Sequence, residues 1–347
     1  MASKRPTIRP LNGRSFGVLL EFDDGAPDTA IDDFIASADL IRRAIADAAG
    51  VMVVKGLEAI SQAPDELVRI SRIFGPEVEN YHETLTGARF FHDEIPEVLV
   101  LSNLPPCSFP PPLRPEPPVT ADGRLPVQFP HQRNWHTDQS YRRPPPDITL
   151  LYGVTTPPAD QGQTLFADCT AAFAALDPQL QNRLKGLNGI HAPSWVGRTP
   201  DDVRAGNPPK PLLPHQLPQR HPLVRYHPDT GRPALYICEE KQMDFVDGPI
   251  EGLETGPDGE GARLLRLLLE HATSRQFVYV HEWSPGDLVI GDNRCLLHAA
   301  TWYDADTHPR LMWRTTVMGN PGEQYRGEAK SWISTEGLAA NLGMEDA

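Results

Sequence analysis

The chain has 347 residues, 39% hydrophobic and 22% charged, enough for a sizeable core in one large domain or two ordinary ones. Its formal net charge of −14 argues against a nucleic-acid surface, which needs a basic stripe, yet local arginines could still hold an anionic small molecule. No apolar run approaches membrane-spanning length and no apolar segment follows the basic start, so neither a membrane partner nor a secretory signal is expected.

In chain order, apolar residues recur at helical spacing from Ile31 to Ala49, with Asp28-Thr29 available near the start and Gly50 as the stop. Val51-Met52-Val53-Val54 reads as a short buried strand, Pro64 to Phe74 as a second helix, and Glu97 to Leu101 as another strand. Prolines crowd 105–130 and again 192–222, where neither a helix interior nor a central strand can accommodate them. Such long irregular stretches are uncommon unless they cover a site, so both are expected to be lid insertions on the surface. Strands are expected at Ile148–Val154, Leu223–Tyr226, Ala234–Ile237, Phe277–Trp283, Leu288–Ile290 and Leu311–Met318, and one helix at Gly261–His271. The pattern is mainly β, a sandwich or barrel with helices packed outside it. Cys107, Cys169, Cys238 and Cys295 are scattered singly and point to reduced thiols in a cytoplasmic protein.

The chemistry centres on Asn134-Trp135-His136-Thr137-Asp138. In an extended strand His136 and Asp138 project to one side. They supply two legs of the 2-His-1-carboxylate set that holds non-haem iron(II) and leaves coordination positions open. His298, which closes the run Asp292-Asn293-Arg294-Cys295-Leu296-Leu297-His298, is the candidate third leg. Arg310 and Arg314 follow it, four residues apart, and strand alternation places them on one face. A zinc hydrolase using the same three ligands is the competing chemistry; it would need a nearby general base and would have no use for Arg310.

Taken with Gly162-Gln163-Thr164 and His221-Pro222-Leu223-Val224-Arg225, these motifs resemble the taurine dioxygenase and 2,4-dichlorophenoxyacetate dioxygenase family of Fe(II)/2-oxoglutarate-dependent oxygenases. The likeness runs from about Asp33 to Val317 and implies a single oxygenase domain over 1–347, with a double-stranded β-helix (jelly-roll) core. It implies that His136, Asp138 and His298 bind Fe(II), and that 2-oxoglutarate is held at its far carboxylate by Arg310 and Thr164. Arg314 would meet the anionic group of the substrate, and Asn80, Tyr81, Gln132 and Trp135 are further substrate-pocket candidates. O2 and 2-oxoglutarate would be consumed, succinate and CO2 released, and a C–H bond of a small anionic organic molecule oxidised. A homologue that has lost catalysis and only binds is the remaining alternative, and related enzymes make a homo-oligomer an expectation by analogy. Two departures stand out. Gln161-Gly162 replaces the family's paired glycines, and Asn80 occupies the position of a histidine that contacts the sulfonate in taurine dioxygenase, which puts taurine itself in doubt.

Overall fold

The computed structural model describes residues 6–11, 16–22, 27–84, 86–114, 134–319, 325, 326, 328, 330 and 331. The chain opens with an antiparallel pair, β1 (Thr7–Pro10) and β2 (Val18–Glu21), that the sequence pattern did not reveal. The helix expected over Ile31–Ala49 is two helices, α1 (Pro27–Ala36) and α2 (Ala38–Asp47), divided at Ser37. Phe34, Ile41 and Ile45 are buried in the same cluster on both sides of the break, so the apolar period runs through it. β3 (Val51–Lys55) follows, then α3 (Asp65–Ser71), which starts at Pro64, and β4 (Leu99–Ser102).

Beyond the first proline-rich stretch come β5 (Ile148–Thr155) and β6 (Thr164–Asp168). The Asp168 carboxylate accepts from the Ala171 N–H and caps α4 (Cys169–Ala174). Asp177 caps α5 (Pro178–Leu184) in the same way, and β7 (Asn188–His191) follows. The second proline-rich stretch is more ordered than expected. It contains α6 (Pro200–Arg204), started by a Thr199/Asp202 capping box, and ends in β8 (Gln219–Pro222), which pairs with β7. β9 (Val224–Tyr226), β10 (Pro233–Leu235), α7 (Glu260–Ala272), β11 (Val278–His281), β12 (Leu288–Asp292), β13 (Leu296–Ala300) and β14 (Leu311–Val317) complete the order.

Two sheets carry the architecture: a seven-stranded one, β1-β2-β3-β12-β5-β14-β4, and a three-stranded one, β11-β6-β13. Side chains alternate between faces, so each sheet sorts its residues in two. Val53, Val289 and Met312 of the large sheet meet Phe166, Tyr279 and Leu296 of the small one in the core between them. On the outer face of the small sheet, Leu165, Ala167, Val278, Leu297 and Ala299 pack with Phe173 of α4 and Leu265 and Leu268 of α7. On the outer face of the large sheet, Met52, Val54, Leu150 and Tyr152 pack with residues of α1, α2 and α3. The result is a jelly-roll core with helices outside both faces, as the strand-rich pattern and the resemblance led one to expect. Among the described residues, no helix is long and apolar enough to cross a membrane.

Candidate metal centre

His136 does not sit on a regular strand. It makes a single antiparallel bridge to His298 of β13, and the two residues exchange backbone hydrogen bonds of 3.0 and 2.8 Å. A turn follows at once, and the segment is flanked by two left-handed residues, Asn134 (φ 61°) and Gln139 (φ 47°). Alternation still holds over the short run, because Nε2 of His136 stands 3.6 Å from Oδ1 of Asp138. Nε2 of His298 is 3.8 Å from the same oxygen, and one ligand atom from each residue lies within 4.8 Å of the others.

Two of the three are oriented from behind. Nδ1 of His136 lies 2.6 Å from the Asn134 carbonyl, so it carries the hydrogen and leaves the Nε2 lone pair free for a metal. Oδ2 of Asp138 accepts from the Thr149 hydroxyl at 2.7 Å, and the Thr137 hydroxyl donates to the Asn293 carbonyl at 2.8 Å. Burial works against ionisation of Asp138, but Arg314 and then His298 outweigh it and hold the carboxyl well below its usual range. Burial and the neighbouring His136 push His298 down to about 3, which keeps its imidazole neutral. Two donors about 2.1 Å from one ion at right angles would stand about 3 Å apart, so side-chain adjustment that draws the three atoms together from their observed spacing would seat an N,N,O donor set. These residues fit a facial site for iron(II).

The arginines differ. Arg314 extends from β14 and donates to Oδ1 of Asp138 at 2.9 Å, while its Nε has no partner. Arg310 precedes β14, whose register shifts between Leu311 and Met312, so alternation cannot relate the two as the spacing argument assumed. Arg310 is placed instead by its N–H on Asn103 and by the Tyr303 ring, 5.8 Å from its guanidinium carbon. Its Nε is buried without a partner, and burial, with no carboxylate paired to it among the described residues, pulls the guanidinium down to about 10. Tyr303 packs against Gly162, whose positive φ of 62° excludes most side chains and whose Cβ would meet Pro157 at 3.1 Å. Thr164 lies two residues on, its Oγ1 accepting from Trp283 Nε1 at 2.9 Å. Tyr303 thus stands between Arg310 and Gly162, two residues before Thr164, and among the described residues no hydrogen bond joins Thr164 to Arg310.

The other expected pocket residues divide. Tyr81 lines a cavity of about 530 Å³ together with His136, Asp138 and Arg314. Asn80 instead accepts from the His82 N–H and caps a short turn. Trp135 is 2% exposed and packs in the core outside the small sheet, away from that cavity. Gln132 lies outside the described residues. Sequence reading missed most of the wall: Phe90, Phe109, Tyr141, Trp195 and His215, which come from separate loops with no shared motif. It also missed Asn293 and Thr149, although Asn293 belongs to the Asp-Asn-Arg run and could have been weighed. A second His/Asp/Cys group, His227, Asp292 and Cys295, is closed to a metal. His227 Nε2 is 2.9 Å from Asp292, and Arg294 forks onto the same carboxylate at 2.8 and 2.6 Å.

Facing sheets with two histidines and one carboxylate converging between them define a jelly-roll protein with a candidate site for a non-haem metal. The chain belongs to the TauD/TfdA family: residues 12–316 match the family described as "Taurine catabolism dioxygenase TauD, TfdA family". It is 38% identical over 183 residues to the alpha-ketoglutarate-dependent 2,4-dichlorophenoxyacetate dioxygenase of Cupriavidus pinatubonensis, a match covering 53% of this chain and 59% of that protein. The matched stretch thus spans about three fifths of that relative's length. It is 29% identical to the pentalenolactone F synthase of Streptomyces arenae over 288 residues, 80% of this chain and 86% of that one. The crystal structure of AAD-2 in complex with Mn(II) and N-oxalylglycine matches with a TM-score of 0.62 and 26% identity, covering 91% of this chain and 98% of that one.

Proposed function

We propose that this protein is an Fe(II)/2-oxoglutarate-dependent dioxygenase that oxidises, typically by hydroxylation, a C–H bond of a small anionic organic substrate, releasing succinate and CO2. The observation that carries the reading is the convergence of His136, Asp138 and His298, together with Arg310, whose Nε is buried and which no carboxylate pairs with among the described residues. An unpaired buried cation is costly unless an anion meets it, and a zinc hydrolase gives Arg310 no such anion. The donor set supports iron, and the bound iron with 2-oxoglutarate and O2 supplies the oxidising chemistry.

The protein's own work is positioning and shielding. Arg310 offers a planar fork to the far carboxylate of 2-oxoglutarate. Because the Trp283 N–H already donates to Thr164 Oγ1, the Thr164 hydroxyl hydrogen is free to point at that carboxylate. Arg314, with Tyr81 beside it, takes the anionic group of the substrate. The names of the 2,4-dichlorophenoxyacetate relatives and the walls of Phe90, Phe109, Tyr141 and Trp195 together favour an aromatic body in the cavity. Trp195 and His215 come from the 192–222 segment, which we read as the wall that closes over the substrate and excludes water. The test is O2 uptake coupled to succinate formation with added Fe(II) and 2-oxoglutarate. His136→Ala should abolish it, and undiminished turnover in that variant would remove the assignment.

A further inference from the structure

Among the described residues, the buried polar atoms that lack a hydrogen-bond partner include His191 Nε2, His221 Nε2, the Tyr236 hydroxyl and Arg225 Nη1, all away from the metal centre. They belong to one cluster. The ring centroids of His191, His221 and Tyr236 stand 5.3, 5.4 and 5.6 Å from one another, and the Arg225 guanidinium carbon lies 4.5 Å from the Tyr236 ring centroid. The two histidines are 0% exposed, Tyr236 2% and Arg225 9%. The strand pairing builds the cluster by placing His221 of β8 opposite Gly189 of β7, two residues before His191. A Cβ at 189 would meet Leu223 at 3.1 Å and both His191 Nε2 and Met243 at 3.2 Å, so only glycine lets the two strands bring these rings together.

The chemistry of the cluster is one-sided. Nδ1 of His191 lies 2.9 Å from the Ser140 hydroxyl, and Nδ1 of His221 lies 2.9 Å from the Tyr325 hydroxyl. If those hydroxyls donate, both Nε2 atoms carry hydrogens, and the guanidinium can only donate. The Ser140 carbonyl lies beside the His221 ring as the one backbone acceptor there among the described residues. Among the described residues no carboxylate pairs with Arg225, whose guanidinium lies against the ring and hydroxyl of Tyr236, so its positive charge is buried beside neutral groups. Water would satisfy hydrogen bonds but not that charge.

We propose that His191, His221, Arg225 and Tyr236 form a buried site for a small monovalent anion, chloride being the form available in a cell. The assignment does not rest on iron or 2-oxoglutarate. Its consequence reaches the metal centre because Ser140, two residues beyond Asp138, joins His191 and lies 3.1 Å from Cys238. A bound anion would brace the turn that carries Asp138 against β7 and β8.

The test uses the full chain in gluconate buffer at constant ionic strength, with chloride or bromide titrated in, and crystals grown in bromide. The expected result is an anomalous bromide peak touching His191 Nε2, His221 Nε2, the Tyr236 hydroxyl and Arg225 Nη1. The melting temperature should also rise with halide and then level off. Tyr236→Phe should require roughly two- to tenfold more chloride for half of that rise. Arg225→Gln should lose the rise; if it fails to fold, the bromide map and the tyrosine variant decide the matter alone. A site holding only water, with equal melting in chloride and gluconate, would overturn the proposal. So would a halide-dependent rise that neither variant alters, since the ion would then act elsewhere.

Discussion

At the scale of single residues, the His/Asp/His group proposed to hold the metal was legible because spacing constrains it: His136 and Asp138 are two apart, and His298 closes a long recognisable run. What spacing could not show is what orients them, since the Asn134 carbonyl and the Thr149 hydroxyl are positioned by backbone geometry and by strand pairing. Nor did the sequence distinguish the buried histidines from the ligands. Burial, with Arg225 nearby, drives His191 down to about 3, and burial, His191 and Arg225 drive His221 well below its ordinary value. Both are therefore neutral in the fold and protonate only on unfolding at mildly acidic pH. Because their folded values are depressed, their contribution is complete above the unfolded value near 6.5 and is lost as pH falls towards their folded values. In chloride-free buffer, urea unfolding should show stability falling by up to about 1.4 kcal/mol per pH unit for each histidine below pH ~6.5. His191→Gln should reduce that slope by one proton, and an unchanged slope would show that other groups set the acid limit.

At the scale of elements, long periodic segments such as α7 and continuous apolar runs such as β3 and β5 were readable, whereas their boundaries and interruptions were not. The break at Ser37 leaves the apolar period intact, and β6 hides in Thr164–Asp168, a run whose role depends on being clasped between β11 and β13. The 192–222 stretch looked irregular because its order comes from a capping box and a pairing with β7, neither of which leaves a period. β6 also carries a prediction. Trp283, just past the end of β11, sets the Thr164 hydroxyl through its N–H, so Trp283→Phe keeps the ring and removes only the donor. In metal-loaded anaerobic protein, calorimetry should find 2-oxoglutarate bound about two- to tenfold more weakly. Unaltered affinity would withdraw Thr164 from the carboxylate contact.

At the scale of the whole molecule, the resemblance and the mainly β pattern led to the jelly roll, but the distribution of the cavity walls over distant loops could only come from the folded chain. The bridge between His136 and His298 has a structural meaning beyond ligation. Among the described residues β13 is the outer strand of the small sheet, and the His136 segment pairs with it at that one position. A metal held by both residues would clamp that segment in place. Chelation should therefore loosen it and leave the strand's unpaired amides open to another chain. Chelator-treated protein is expected to scatter more light on storage than metal-loaded protein at equal concentration, and equal scattering would show that the strand is protected by something else. A catalytic ion would thus also serve colloidal behaviour, with iron starvation threatening solubility as well as turnover.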